Sequence, residues 1–295
     1  MEKLHDHSHK TIDIIGAKLI FSVIFNLIIT LSEIIGGFLS GSLALISDAL
    51  HNLSDTGALL VSFFARKISK KPKNQRYTYG YKRAEIIAAI INTTILLAIS
   101  ATLLIEGTKK IINPSEIKTS LMLVIAYIGL FGNGLTAILL FSHSKENLNL
   151  KSSFLHILSD LFSSIAIIIT GHLIARYNIW ILDPIITFLI ATYIIIESIK
   201  ILRECLQIVM QATPEHIDIN FLKQELEFLP FVKDVHHIHA WTLDGHDVFL
   251  ERHVKVESFD YDKCLKTINK KLKALGFKHN TIQLELKECT DNCIA

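Results

Sequence analysis

Long apolar stretches separated by short polar links dominate the first two thirds of the chain. They run roughly Ile14 to Leu39, Ser42 to Ala65, Ala84 to Gly107, Thr119 to Ser142, Ser153 to Arg176 and Pro184 to Leu202. A helix needs about 20 mostly apolar residues to cross a bilayer, so the pattern predicts six transmembrane helices. After Arg203 the character changes. Residues 217–228 (IDINFLKQELEF) have helical amphipathicity, and VKDVHHIHAW and DVFLERHVKV alternate with period two around the turn LDGH. A Lys-rich helix over Tyr261 to Leu275 and a strand TIQLELK follow, with Ile282, Leu284 and Leu286 on one face. The order helix, strand, strand, helix, strand predicts a small α+β domain with two helices on a three-stranded sheet. The expected division is a tail over 1–13, a transmembrane domain over 14–210 and a C-terminal domain over 211–295, joined at QATPEH.

Composition agrees with that division. Half of the 295 residues are hydrophobic and 20% are charged, with a mean hydropathy of +0.41, as expected of a membrane protein. The net charge of +2 gives no reason to expect nucleic acid. The link between spans two and three carries Arg66, Lys67, Lys70, Lys71, Lys73, Arg76, Lys82 and Arg83, whereas the link between spans one and two, GFLSGS, is uncharged. The positive-inside rule therefore puts that basic link in the cytoplasm, and an even number of spans puts both termini there too. MEKLHDHSHKTID carries acidic residues and no small-residue cleavage site, so it is not read as a removable signal. Cys205, Cys264, Cys289 and Cys293 all fall on the cytoplasmic side and are expected as thiols. Without long loops or targeting segments, the chain reads as a bacterial plasma (inner) membrane protein.

Two of the apolar spans contain the same polar motif, HNLSD at 51–55 and HILSD at 156–160. Residues four apart share a helix face, so His51 pairs with Asp55 and His156 with Asp160. Spans two and five run in opposite directions, which brings His51 level with Asp160 and Asp55 level with His156 if helix five begins somewhat before Ser153. Ionisable groups within a span cost about 2.5–3.5 kcal/mol each on insertion scales and mark function; a shared cation offsets that cost. Two imidazoles and two carboxylates suit tetrahedral Zn²⁺. The competing reading is an internal hydrogen bond within each helix, and its appearance twice in separate spans weighs against it. Asp48, one turn before His51, is a candidate acceptor for a ligand's second ring nitrogen. Glu33, Asn92 and Asn133 line a path or pack between helices.

The C-terminal domain places His236, His237, His239, His246 and His253 within 18 residues; in alternation His237 and His239 share one face. CTDNC at the tail (Cys289, Cys293) and HDHSH at the head (His5, His7, His9) together supply enough donors for an accessory zinc site between termini on the same side. An enzyme is not expected: HExxH is absent, and no ligand position is left open for a reactive water.

SGSLALISDALHNLSD, the second HxxxD, the basic link with YGYKRAE, the MQATPE junction and the terminal TIQLE strand together resemble the cation diffusion facilitator family. The likeness is to its zinc-exporting branch, which includes bacterial cobalt-zinc-cadmium resistance exporters and animal vesicular zinc transporters. That resemblance implies a homodimeric Zn²⁺/H⁺ antiporter without an organic cofactor, whose αββαβ cytoplasmic domain is ferredoxin-like or metallochaperone-like and senses metal. His51, Asp55, His156 and Asp160 match the family's transport site. Its cytoplasmic zinc ligands map onto His236 or His237, onto His253 and onto Glu285. A second ion site that relatives hold in the link after span two is absent, since Asn74, Tyr77 and Tyr81 stand there; the His-rich link between spans four and five is reduced to His143.

The histidines supply the coupling. An unperturbed imidazole titrates near pH 6.5 and must be deprotonated to bind metal, so zinc entering from the cytoplasm expels protons and zinc leaving readmits them. Helices rocking about the fixed site would expose it to each side in turn. The alternatives are the same fold carrying Co²⁺, Cd²⁺, Ni²⁺ or Fe²⁺, and a membrane-bound zinc sensor.

Overall fold

The computed structural model describes residues 24–144, 148–257, 260–277 and 279–287, with the backbone alone for 59, 62, 139–144 and 148–156. Six helices come first: α1 (Ile24–Ser40), then α2 (Leu43–Ser69), α3 (Ala84–Ile112), α4 (Thr119–Ser144), α5 (Leu148–Tyr177) and α6 (Leu182–Val209). Four stretches, Ala84–Ile112, Thr119–Ile138, Ile157–Tyr177 and Leu182–Val209, are long and apolar enough to cross a membrane, and the described part of α1 is a shorter apolar helix. α2 is long enough at 27 residues, but Asp48, His51, Asn52 and Asp55 dilute its hydropathy. α5 begins five residues earlier than the apolar run suggests, because its first turns, LNLKSS, are polar yet helical.

By residue contacts the chain forms two compact units, one reaching Phe63 and including Ile91–Ile201, the other comprising Phe64–Ile90 and the chain from Leu202. In the first unit, Ala44 and Leu45 of α2, Met122 and Ala126 of α4 and Ile167 and Ile174 of α5 form a buried cluster. α4 runs along α5. Glycine permits the close approach of α1 to α4. A Cβ at Gly129 would come within 2.3 Å of Glu33 Oε1, so only glycine lets that buried carboxylate lie against α4. Gly41, with φ 76°, turns the chain between α1 and α2 in a conformation that L side chains rarely adopt.

In the second unit the C-terminal part has the expected order: α7 (Ile219–Glu227), β1 (Val232–Thr242), β2 (Val248–Val256), α8 (Tyr261–Ala274) and β3 (His279–Glu285). Asp218 caps α7 by accepting from Asn220 and Phe221 N–H, and Asp260 caps α8 through Lys263 N–H. The apolar stripes of both helices, Leu222 and Leu226 with Ile268 and Leu272, pack on Val235, Leu250 and Val254. The sheet order is β1-β2-β3, with β1 and β2 antiparallel and β2 and β3 parallel. Ile282 and Leu284 meet the core, whereas Leu286 lies beyond the end of β3 and is exposed, so the apolar face stops one alternation earlier than the sequence suggests.

The β1–β2 ladder slips by one residue between His236 and His239; His237 there has φ 50°. Arg252 lies across from this bulge. It is fully buried with no hydrogen-bond partner for its guanidinium nitrogens among the described residues, and burial lowers its pKa to about 10.

The link between α2 and α3 belongs to this second unit. Lys82 Nζ lies 2.6 Å from Asp247 and 3.1 Å from Asp244, both in the β1–β2 turn, and the Tyr79 ring meets Phe249 edge-on. Asp244 is held below the usual carboxylate range: partial burial pushes the other way but is outweighed by the His246 and Asp247 N–H groups and Lys82. A depressed carboxylate contributes stability above its unfolded pKa and loses it as pH falls through the folded value. Asp244→Asn keeps a backbone acceptor and removes the charge. The urea midpoint, followed by Trp241 fluorescence in a Trp180→Phe background, should fall below the parent's at pH 7. The gap should close below about pH 4.

Candidate metal centres

On α2, the helical spacing brings His51 Nε2 to 3.5 Å from Asp55 Oδ2, with both side chains partly exposed. The edge of the Tyr193 ring on α6 approaches the His51 ring, with centroids 6.4 Å apart. Asp160 on α5 is buried; the His156 side chain lies outside the described side chains. α2 and α5 meet through Asp48 and Ser163, whose hydroxyl bonds to Asp48 Oδ1 and lies 2.9 Å from the Asp160 carbonyl. Asp48's bond is thus to a serine of the facing helix. Glu33 on α1 accepts from Asn52 Nδ2 at 3.4 Å, and Glu33, Asp48, Asn52 and Asn133 are all buried. Asn133 stands where α1 and α4 close on each other at Gly132, whose Cβ would meet Ile29 at 2.2 Å.

Sequence reasoning missed Ser163 and Tyr193. A serine one turn beyond Asp160 is an ordinary helix residue until its partner across the interface is known, and Tyr193 sits in an apolar run without a motif.

In the C-terminal domain, His236 on β1, His253 on β2 and Glu285 on β3 bring one donor atom each within 4.8 Å of one another. The ladder pairs His236 with His253, and β3 sets Glu285 beside Lys255, one alternation along the same face. Glu285 Oε1 is 2.8 Å from His253 Nδ1, and Oε2 is 3.3 Å from His236 Nε2. Behind the cluster Asp234 Oδ2 takes His236 Nδ1 at 2.8 Å. Asp234 is held below the usual carboxylate range although partial burial opposes this, with Lys223 and then His236 supplying the compensation.

A carboxylate only accepts, so His236 Nδ1 carries a hydrogen toward Asp234 and its Nε2 faces Glu285. Nε2 and Oε2 are both buried without a hydrogen bond, 3.3 Å apart. A cation between them, a proton or a metal ion, satisfies both, and a carboxylate behind the imidazole is the usual support of a metal-bound histidine. His237 is not among these three donors; its ring lies against His239, with centroids 4.4 Å apart, and against His253 at 4.6 Å. His5, His7, His9, Cys289 and Cys293 lie outside the described residues.

Residues 19–210 match the cation efflux transmembrane domain and residues 214–287 the cytoplasmic domain of cation efflux proteins. The chain belongs to the cation efflux family. This cation efflux protein is 34% identical to the cadmium, cobalt and zinc/H⁺-K⁺ antiporter of Bacillus subtilis over 86% of its own length and 83% of the relative's. It is 33% identical to the zinc transporter ZitB of Escherichia coli (97% and 92%) and 31% identical to the metal cation efflux protein CzcD of Cupriavidus metallidurans (97% and 90%). These are members of the zinc-exporting branch that the sequence motifs resemble.

The tautomer is testable without metal. With zinc stripped by chelator, nitrogen NMR of His236 should show hydrogen on Nδ1 at pH 8, and Asp234→Leu should shift the population toward Nε2–H. An unchanged tautomer would remove the carboxylate from its orienting role.

Proposed function

We propose that this cation efflux protein is a secondary transporter that moves Zn²⁺ out of the cytoplasm in exchange for H⁺. The ion is held tetrahedrally by His51, Asp55, His156 and Asp160 between α2 and α5. The observation that carries this reading is the bond between Asp48 and Ser163. With two spans between them, α2 and α5 run antiparallel, so a step forward on one matches an equal step back on the other. Three residues past Asp48 is His51 and three before Ser163 is Asp160; seven past is Asp55 and seven before is His156. The one contact sets both ligand pairs level.

The supporting arrangement is six spans in a bacterial inner membrane, both termini cytoplasmic, and a homodimer, as the matched cytoplasmic domain suggests. Zinc is favoured as cargo because two imidazoles and two carboxylates suit its tetrahedral preference and because two of the relatives above carry zinc in their names. Deprotonated ligands are a condition of binding, so each ion taken up releases protons inward and each ion delivered accepts them from outside.

The deciding experiment is zinc flux into proteoliposomes under an imposed pH gradient. Wild type should show gradient-dependent uptake, and Asp55→Ala or Asp160→Ala should abolish it with the protein still folded. Uptake by either variant at the wild-type rate would remove the site. Cadmium and cobalt, which the Bacillus relative's name includes, are read out in the same assay as competitors.

His236, His253 and Glu285 form a second zinc site, resident in the cytoplasmic domain. Its facing His236 Nε2 and Glu285 Oε2 fit a cation, and zinc there would link the three strands of the sheet. Asp234→Asn should weaken zinc binding at this site about 10- to 100-fold, measured by dye competition in an Asp55→Ala background.

A further inference from the structure

Asp183, in the first turn of α6, is fully buried and gathers donors from two other helices. Its Oδ1 accepts from Ser42 Oγ at 2.5 Å and from Ala44 N–H at 3.3 Å. Oδ2 accepts from Leu43 N–H at 2.9 Å and lies 2.9 Å from Lys110 Nζ. The carboxylate therefore caps the start of α2, where unpaired N–H groups and the helix dipole favour an anion. Lys110, near the end of α3 where the dipole favours a cation, also donates to the Gly41 carbonyl in the α1–α2 link. α2, α3 and α6 are drawn together at one end of the bundle by a single ion pair and its bonds.

We propose that the Asp183–Lys110 pair is an outer latch: it holds the ligand-bearing helix α2 shut against α3 and α6, and parts in the step that releases the ion outward. This rests on the transport reading and its membrane orientation, which place the starts of α2 and α6 and the end of α3 on the outer side. An open hollow of about 410 Å³, lined by Gly41, Leu43, Glu106, Lys109 and Lys110 among others, lies directly beyond the pair. Lys110 stands at its floor, its side chain 9% exposed, with Asp183 sealed beneath at 0%.

The chemistry of the contact suits a seal that reopens. Parting an apolar interface exposes surface that water does not compensate, whereas two charges at the floor of a wet hollow regain hydration as they lose each other. Opening costs little net free energy. The latch also has a lever: Leu43 is eight residues from His51, about 12 Å along the α2 axis, so release at the cap frees the segment that carries the transport ligands.

The test places a reporter cysteine beneath the latch at Ala44, which is fully buried, and times its reaction with a membrane-impermeant thiol reagent outside right-side-out vesicles. A second reporter, Leu45→Cys, covers the case in which Ala44→Cys does not fold. In the otherwise wild-type protein, labelling should be slow at rest and about tenfold faster during zinc/proton exchange, as a minor open state becomes a major one. Lys110→Met leaves the Asp183 cap in place and should make labelling fast at rest and insensitive to zinc. A clamp that is only structural stays shut through turnover. Zinc flux without any change in labelling overturns the latch while leaving the transport reading intact. If wild type moves no zinc, the transport reading falls separately, and unchanged resting labelling in Lys110→Met overturns the latch independently.

Discussion

Every ionisable group within the helical bundle must find its counterpart inside the protein, because the surrounding hydrocarbon supplies none. Asp48 meets a serine hydroxyl across the α2–α5 interface, Glu33 an asparagine amide of α2, and Asp183 a helix terminus and an ammonium. Each solution crosses from one helix to another. The polar groups therefore do more than avoid a penalty: they set the register in which helices otherwise coated with interchangeable aliphatic side chains must pack. Apolar faces tolerate sliding by a fraction of a turn; a carboxylate against a hydroxyl does not.

The same logic governs the sheet of the C-terminal domain, with a different partner. Its donor cluster draws one residue from each strand, so the geometry of the set depends on the register of both ladders. Asp234 orients one imidazole and Glu285 touches both. Within the cluster, the atoms left without a hydrogen bond, His236 Nε2 and Glu285 Oε2, face one another.

Legibility in the sequence tracked the distance over which each feature is encoded. The spacing of four between His51 and Asp55 is local, so periodicity alone paired them. The domain order was legible because helix and strand periods differ and the turn LDGH separates two alternating runs. Lys110 and Asp183, 73 residues apart, read as unremarkable charges at the ends of spans, since nothing local marks them as partners. The choice between His236 and His237 was closed to sequence for another reason. Uninterrupted alternation from His239 opposite Glu251 would set His237 opposite His253, but the bulge inserts one residue and puts His236 there instead. A left-handed backbone at a histidine has no sequence signature comparable to glycine.

That bulge makes the path of the backbone, rather than the identity of any donor, the determinant of which histidine joins the cluster. Losing one residue between His236 and His239 would return the ladder to even pairing with His236 still opposite His253, because the lost residue is the extra one that the bulge accommodates. Straightening the strand at full length would instead bring His237 opposite His253 while every donor side chain stays unchanged. Comparisons among relatives that score identity column by column would penalise the harmless gap and pass over the change in backbone path.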